Sequence, residues 1–132
     1  MRKPLTLLLL FLLLSCQNQH FQVNDQVTQI NVIQVSDRSP SLNQYEREGK
    51  IIKEITSQKK IDHIRNALAK TDAESTENVD LALPSYKIHF LIENKIVQTL
   101  GYYPQNENQQ AAFLSVEKER IYLLSSSLSL LP

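Results

Sequence analysis

Five groups of side chains in this sequence are candidates for chemistry, and their spacing limits each of them. Cys16 is the only cysteine, so neither an intrachain disulfide nor a cysteine-based zinc site can form. His20, His63 and His89 lie far apart, and no two share the close spacing of a metal-binding pair. His63 follows Asp62 in a stretch of helical period and flanks its apolar stripe, so it is expected in solvent. His89 alternates with apolar neighbours and is expected exposed or lightly packed. Asp72, Glu74, Glu77 and Asp80 form an acidic run, but calcium needs oxygens converging on one point, commonly around a turning glycine, and no glycine is there. Ser125–Ser127 and Ser129 lack the Gly-x-Ser-x-Gly elbow that would expose a nucleophile, so capping or linking is the better account. Tyr102-Tyr103-Pro104, with Tyr86 and Tyr122, offers an aromatic platform for a glycan or an apolar side chain. Strand alternation puts Tyr102 and Tyr103 on opposite sides, so core packing of one competes with a recognition patch. No catalytic set, no metal site and no cofactor is expected.

The surroundings of Cys16 give it a different role. Arg2-Lys3 is a short positive start, and Leu5–Leu14 is an apolar run about ten residues long. A spanning helix needs roughly 20 apolar residues, so this run suits the apolar core of a signal peptide better than a membrane span. Leu13-Leu14-Ser15-Cys16 resembles the lipobox of bacterial lipoproteins: an apolar residue, a small residue, then the cysteine, with Leu14 larger than is usual at its place. The resemblance implies diacylglyceryl transfer to the Cys16 sulfur and cleavage of the Ser15–Cys16 bond. It also implies retention on the extracytoplasmic face of a bacterial membrane, the cell membrane or, in a diderm, the outer membrane. Two acyl chains, at about 0.8 kcal/mol per buried CH₂, hold on the order of 20 kcal/mol, so such an anchor would be effectively permanent. An ordinary secretory signal or an uncleaved anchor would each leave a free thiol near the surface.

Composition narrows the partners. The 132 residues allow one domain, and 14 basic residues balance 14 acidic ones. Arg2 and Lys3 would leave with the leader, giving the mature part a net charge of about −2 before its N-terminus is counted. Nucleic-acid binding, which draws on a basic surplus to release counterions, is therefore not expected. The expected partners are the membrane, through lipid on Cys16, and an envelope protein or cell-wall component.

The elements that would carry these residues follow from period. The sequence divides into a signal peptide over 1–15, a lipidated cysteine and polar tether over 16–26, and one domain over 27–132. The tether Gln17–Gln26 would reach roughly 33 Å at full extension. Val27–Ser36 is β-branched with imperfect alternation, so it is a strand buried on both faces or bulged. Asp37–Glu48 reads as a loop and Gly49–Ile55 as a second strand. Ile61, Ile64, Ala67 and Leu68 define a helix over Ser57–Lys70, although Lys59 and Lys60 oppose the dipole in its first turn. Thr71–Leu83 reads as an acidic loop. Tyr86, Ile88, Phe90 and Ile92 line one face of a strand, with Lys87, His89 and Glu93 on the other; Asn94-Lys95 turns it into Ile96–Tyr103. After the loop Pro104–Gln110, Ala112–Glu117 and Arg120–Ser125 form a second hairpin turning at Lys118-Glu119. Ser125–Leu131 has the makings of a short helix. The expected fold is α+β, an antiparallel sheet in the order β-β-α-β-β-β-β with one amphipathic helix on a face.

The leader, the segment Ile51–Leu68, the strand around Tyr86–Phe90 and the ending Tyr122–Leu131 resemble small uncharacterised Bacillus-type lipoproteins with a YhfM-like domain. That resemblance implies a fold and no known activity. The expected function is a membrane-anchored, non-catalytic binding or accessory module. The alternative is an inhibitor or immunity-type protein presenting Asp72–Leu83 or Pro104–Gln110 to an envelope enzyme. An envelope hydrolase would require a concave site gathering carboxylates or a histidine.

Overall fold

The structure, a computed structural model, describes residues 20–125, 128 and 130–132. The leader and Cys16 lie outside the described residues, as do Ser126, Ser127 and Ser129 of the expected C-terminal helix; Leu128 and Leu130–Pro132 have no regular secondary structure. Nine elements follow one another: β1 (Gln29–Gln34), α1 (Leu42–Arg47), β2 (Lys50–Ile55), α2 (Gln58–Ala69), β3 (Asp72–Ser75), β4 (Tyr86–Ile92), β5 (Lys95–Tyr103), β6 (Ala112–Ser115) and β7 (Arg120–Leu123). The strands form one antiparallel seven-stranded sheet in the order β2-β1-β4-β5-β6-β7-β3, an α+β fold. No described helix is long and apolar enough to cross a membrane.

The expected apolar stripes meet on one face, here the helix face. Ile61, Ile64 and Leu68 of α2 pack there with Ile30 and Val32 of β1, Ile88 and Phe90 of β4, and Leu100 of β5. Thr71 closes the end of α2, its hydroxyl donating to the Leu68 carbonyl at 2.7 Å. Strand β1 proves both double-faced and irregularly paired. Ile33 and Asn31 are buried on its second face, and the register slips between Val32 and Ile33, leaving Ile52 of β2 as the extra residue.

Three segments expected to be irregular need correction. Asp37–Glu48 is not all loop: Ser41 caps α1, its Oγ accepting from Gln44 N at 3.3 Å while Gln44 Oε1 accepts from Ser41 N at 2.9 Å. Six residues are too few to show a helical period, but the Ser-x-x-Gln pattern was there to read. Helix α1 lays Tyr45 over the second sheet face, and so Lys87, on the side of β4 opposite its apolar stripe, is buried with its Nζ 5.7 Å from the centre of the Tyr45 ring. The acidic run is not all loop either, since Asp72–Ser75 pairs with β7 as an edge strand while Ala73 packs on the core.

The third correction concerns the tether. Phe21 and Val23 are core residues, at 4% and 6% exposure. Phe21 sits between Phe90 and Tyr122, ring centres 5.9 and 5.6 Å away, with Lys118 Nζ 5.4 Å from its own. Gln98 grips this strap from both sides, donating to Gln22 O at 2.9 Å and accepting from Asn24 N at 2.9 Å. Arg65 Nη2 adds bonds to the carbonyls of Asn24 and Asp25. The ordered domain therefore begins before Val27.

Turn chemistry fixes the hairpins. The β4–β5 turn falls on Glu93-Asn94, not Asn94-Lys95: both have positive φ (49° and 68°) and Ile92 pairs with Lys95, the geometry of a two-residue type I′ turn. Glutamate suits that conformation poorly, so Glu93→Asn should raise stability by about 1 kcal/mol in urea unfolding. Gly101 of β5 is required by close approach. A Cβ there would lie 2.5 Å from Pro84 Cγ and 2.8 Å from the Tyr45 hydroxyl oxygen. Gly101→Ala should therefore cost about 1–3 kcal/mol in the same measurement, and a loss under roughly 0.5 kcal/mol would mean that the Pro84 loop yields.

Candidate functional site

Helix α2 divides the helix face into two flanks. On one lies the strap, held by Arg65, whose Nη1 also pairs with Asp62 Oδ1 at 2.8 Å. On the other, α2, β2 and the C-terminal segment bound a groove of about 480 Å³, within the ordinary size of ligand clefts. The chain builds it from three places. The bulge at Ile52 sets Lys53 and Ile55 on the helix face of the edge strand β2, where they pair with Val32 and Ile30. The first turns of α2 present Lys59, Lys60 and His63 outward and Ile64 inward. Leu128 and Leu130, both buried, line it from the C-terminal segment.

The groove thus has an apolar floor and a basic rim. Ile55, Ile64, Leu128 and Leu130 are core residues whose outer edges form the floor, each no more than 8% exposed. Lys53, Lys59, Lys60 and His63 stand around it, and no carboxylate is among the lining residues. The ion pair among the described residues is Arg65–Asp62, so these three lysines have no described carboxylate partner. Helix α2 begins here without help: Ser57 is its N-cap but makes no side-chain cap hydrogen bond, and no acidic residue occupies the first turn. Two lysines at a positive helix end cost roughly 0.3–1 kcal/mol each when exposed. A site that holds unfavourable charge in the empty state is suited to an anion. The sequence carried this signal as the misplaced Lys59-Lys60 pair. It gave no hint of Lys53 or the leucines, because only the sheet order and the chain's return bring them together.

The other candidates are scattered. His20 borders the strap, His63 stands on the groove rim, and His89 lies on the Tyr45 face between Asn31 and Thr99. Asp72 and Glu74 are on β3 and Glu77 and Asp80 in the following loop, and among the described residues no three His, Cys, Asp or Glu converge on a metal-sized point. Tyr102 is buried against Phe113 and Tyr86, with ring centres at 5.3 and 6.5 Å. Tyr103 points to the opposite face, where its hydroxyl donates to the Ala82 carbonyl. The two tyrosines therefore form no common platform; one builds the core and the other ties down a loop.

No protein-family model, curated protein or solved structure matches this chain.

Burial, and then the charge of Lys87, hold the His89 imidazole below its ordinary pKa of 6.5, while burial lowers Lys87 itself. Folded protein thus binds the His89 proton less readily than unfolded chain. Its contribution falls as pH drops from about 6.5 through the lower folded value, by at most about 1.4 kcal/mol per pH unit. His89→Gln should flatten this part of the stability–pH curve, measured by urea unfolding between pH 7.5 and 4.5. An unchanged curve would mean that other groups carry the acid sensitivity.

Proposed function

We propose that this chain is a bacterial envelope lipoprotein, held by lipid on Cys16 at the extracytoplasmic face of a membrane, whose domain binds rather than transforms its ligand. The observation that carries the binding role is the groove beside α2, which sets three lysines without described carboxylate partners over an apolar floor. Charge attracts over distance and apolar surface retains at contact, so the pair serves recognition. The anchoring rests on the lipobox-like Leu13–Cys16 and its leader.

A second reading, an inhibitor or immunity-type protein, draws on the loop Pro104–Gln110. Asn106 and Gln109 bridge its neck, and Gln105–Gln110 are all exposed, a compact projection of the kind that enters a partner's cleft. In that case photo-crosslinking from Glu107 in cells would trap one envelope enzyme.

The anchoring is tested by expressing the full chain and Cys16→Ala in a bacterial host. Wild type should partition into membranes with a lipid-sized mass increase, and Cys16→Ala should carry no such increase. If both are soluble and unmodified, the anchoring proposal fails.

A further inference from the structure

We infer that the groove beside α2 holds an anionic amphiphile, with its phosphate-like headgroup among Lys53, Lys59 and Lys60 and its acyl chain along Ile55, Ile64 and Leu130. This rests on the reading of the groove as a binding site and adds the chemical class of its occupant.

Two features must be satisfied together. The rim gathers three ammonium groups without a lining carboxylate, in a chain with as many acidic as basic residues overall. The backbone N–H groups at the start of α2 lack a side-chain cap and add partial positive charge to the same end. A compact anion such as phosphate accepts from several such donors at once, and lysine is a good point-charge partner for it. A free inorganic anion, however, would leave the floor in water. Apart from Ser57, the lining residues other than the basic rim are aliphatic, Ile55 and Ile64 with Leu128 and Leu130 of the C-terminal segment, so the complementary ligand carries a hydrocarbon chain on its charged head. A neutral lipid or glycan would leave the lysine cluster uncompensated, and an extended polyanion would leave the floor uncovered. Asp62, the acidic residue of α2 near this end, is engaged by Arg65 and Gln58 and so does not neutralise the rim.

The same geometry makes a prediction that a purely structural role for these lysines does not. Reversing Lys59 and Lys60 to glutamate places acidic side chains at the helix N-terminus, where they favour the helix. The double variant K59E/K60E should therefore be as stable as wild type or more so, while losing the ligand.

The full chain, reconstituted in phosphatidylcholine vesicles, is titrated with octyl phosphate, octyl glucoside and inorganic phosphate while its thermal midpoint is followed. Octyl phosphate should raise the midpoint by about 4–8 °C near five times its Kd, and the other two should leave it within error. K59E/K60E should show no rise from an unliganded midpoint at or above that of wild type. Inorganic phosphate acting as strongly as octyl phosphate would remove the floor from the account, and octyl glucoside acting as strongly would remove the charge; either overturns the inference. Repeating the measurement with phosphatidylglycerol in the vesicles separates the sources. A rise without added octyl phosphate assigns the headgroup to the bilayer, whereas a rise that still requires it assigns a free amphiphile, and both uphold the chemistry. If no probe shifts wild type, the amphiphile is overturned. Photo-crosslinking from His63 in cells then decides the underlying reading: a specific adduct keeps the groove as a binding site for another ligand, and none removes that too.

Discussion

The helix face of the sheet depends on one aromatic contact made from outside it. Phe21 enters from the N-terminal strap and touches Phe90 on β4 and Tyr122 on β7, strands three places apart in the sheet. Burying a phenylalanine contributes about 1.5–3 kcal/mol, and well-placed aromatic pairs add roughly 0.5–1.5 kcal/mol each. Ordering a residue's backbone costs about 1–2 kcal/mol, so Phe21 and Val23 alone would not hold so polar a segment. The bonds from Gln98 and Arg65 make up the difference by fixing the strap's backbone where the rings need it. With the strap in place, α2 is confined to the middle of the face, and the groove opens on its other flank.

Without a disulfide, a sheet with two free edges must also avoid pairing with copies of itself. The β2 edge carries Lys50, Lys53 and Glu54 and is distorted at Ile52; the β3 edge is four residues long and carries Asp72 and Glu74. Short length, charge and a bulge are the usual means of blunting an edge. Lys53 serves both ends here, protecting its strand and standing on the groove rim, which is one physical reason for its presence on the edge.

Where period was strong, the sequence was sufficient. Ile61, Ile64 and Leu68 gave α2, and Ile88 and Phe90 gave the buried face of β4. The misreadings share a cause. Helix α1 and strand β3 are short, and the strap buries two apolar residues among polar ones, so none offers enough repeats for a period to emerge. The burial of Lys87 is out of reach of period for the same reason, because it depends on Tyr45 reaching it from the short helix α1. Of the candidate site, the part carried by α2 is legible: the ill-placed Lys59 and Lys60, His63 beside the stripe and Ile64 within it. The remainder depends on strand order and on the path of the chain end, which are properties of the assembled fold.

The strap also sets a distance. With the chain fixed to the core at Phe21, four residues separate that point from Cys16, a contour of roughly 17 Å against the roughly 33 Å of a free tether ending at Gln26. On the proposed anchoring, the domain would ride at the level of the lipid headgroups with little freedom to tumble, closer to a mounted instrument than to a float on a line. A protease seeking to shed it would find Phe21 and Val23 enclosed in the core, and its cut would have to fall within that short remainder or wait for the domain to unfold.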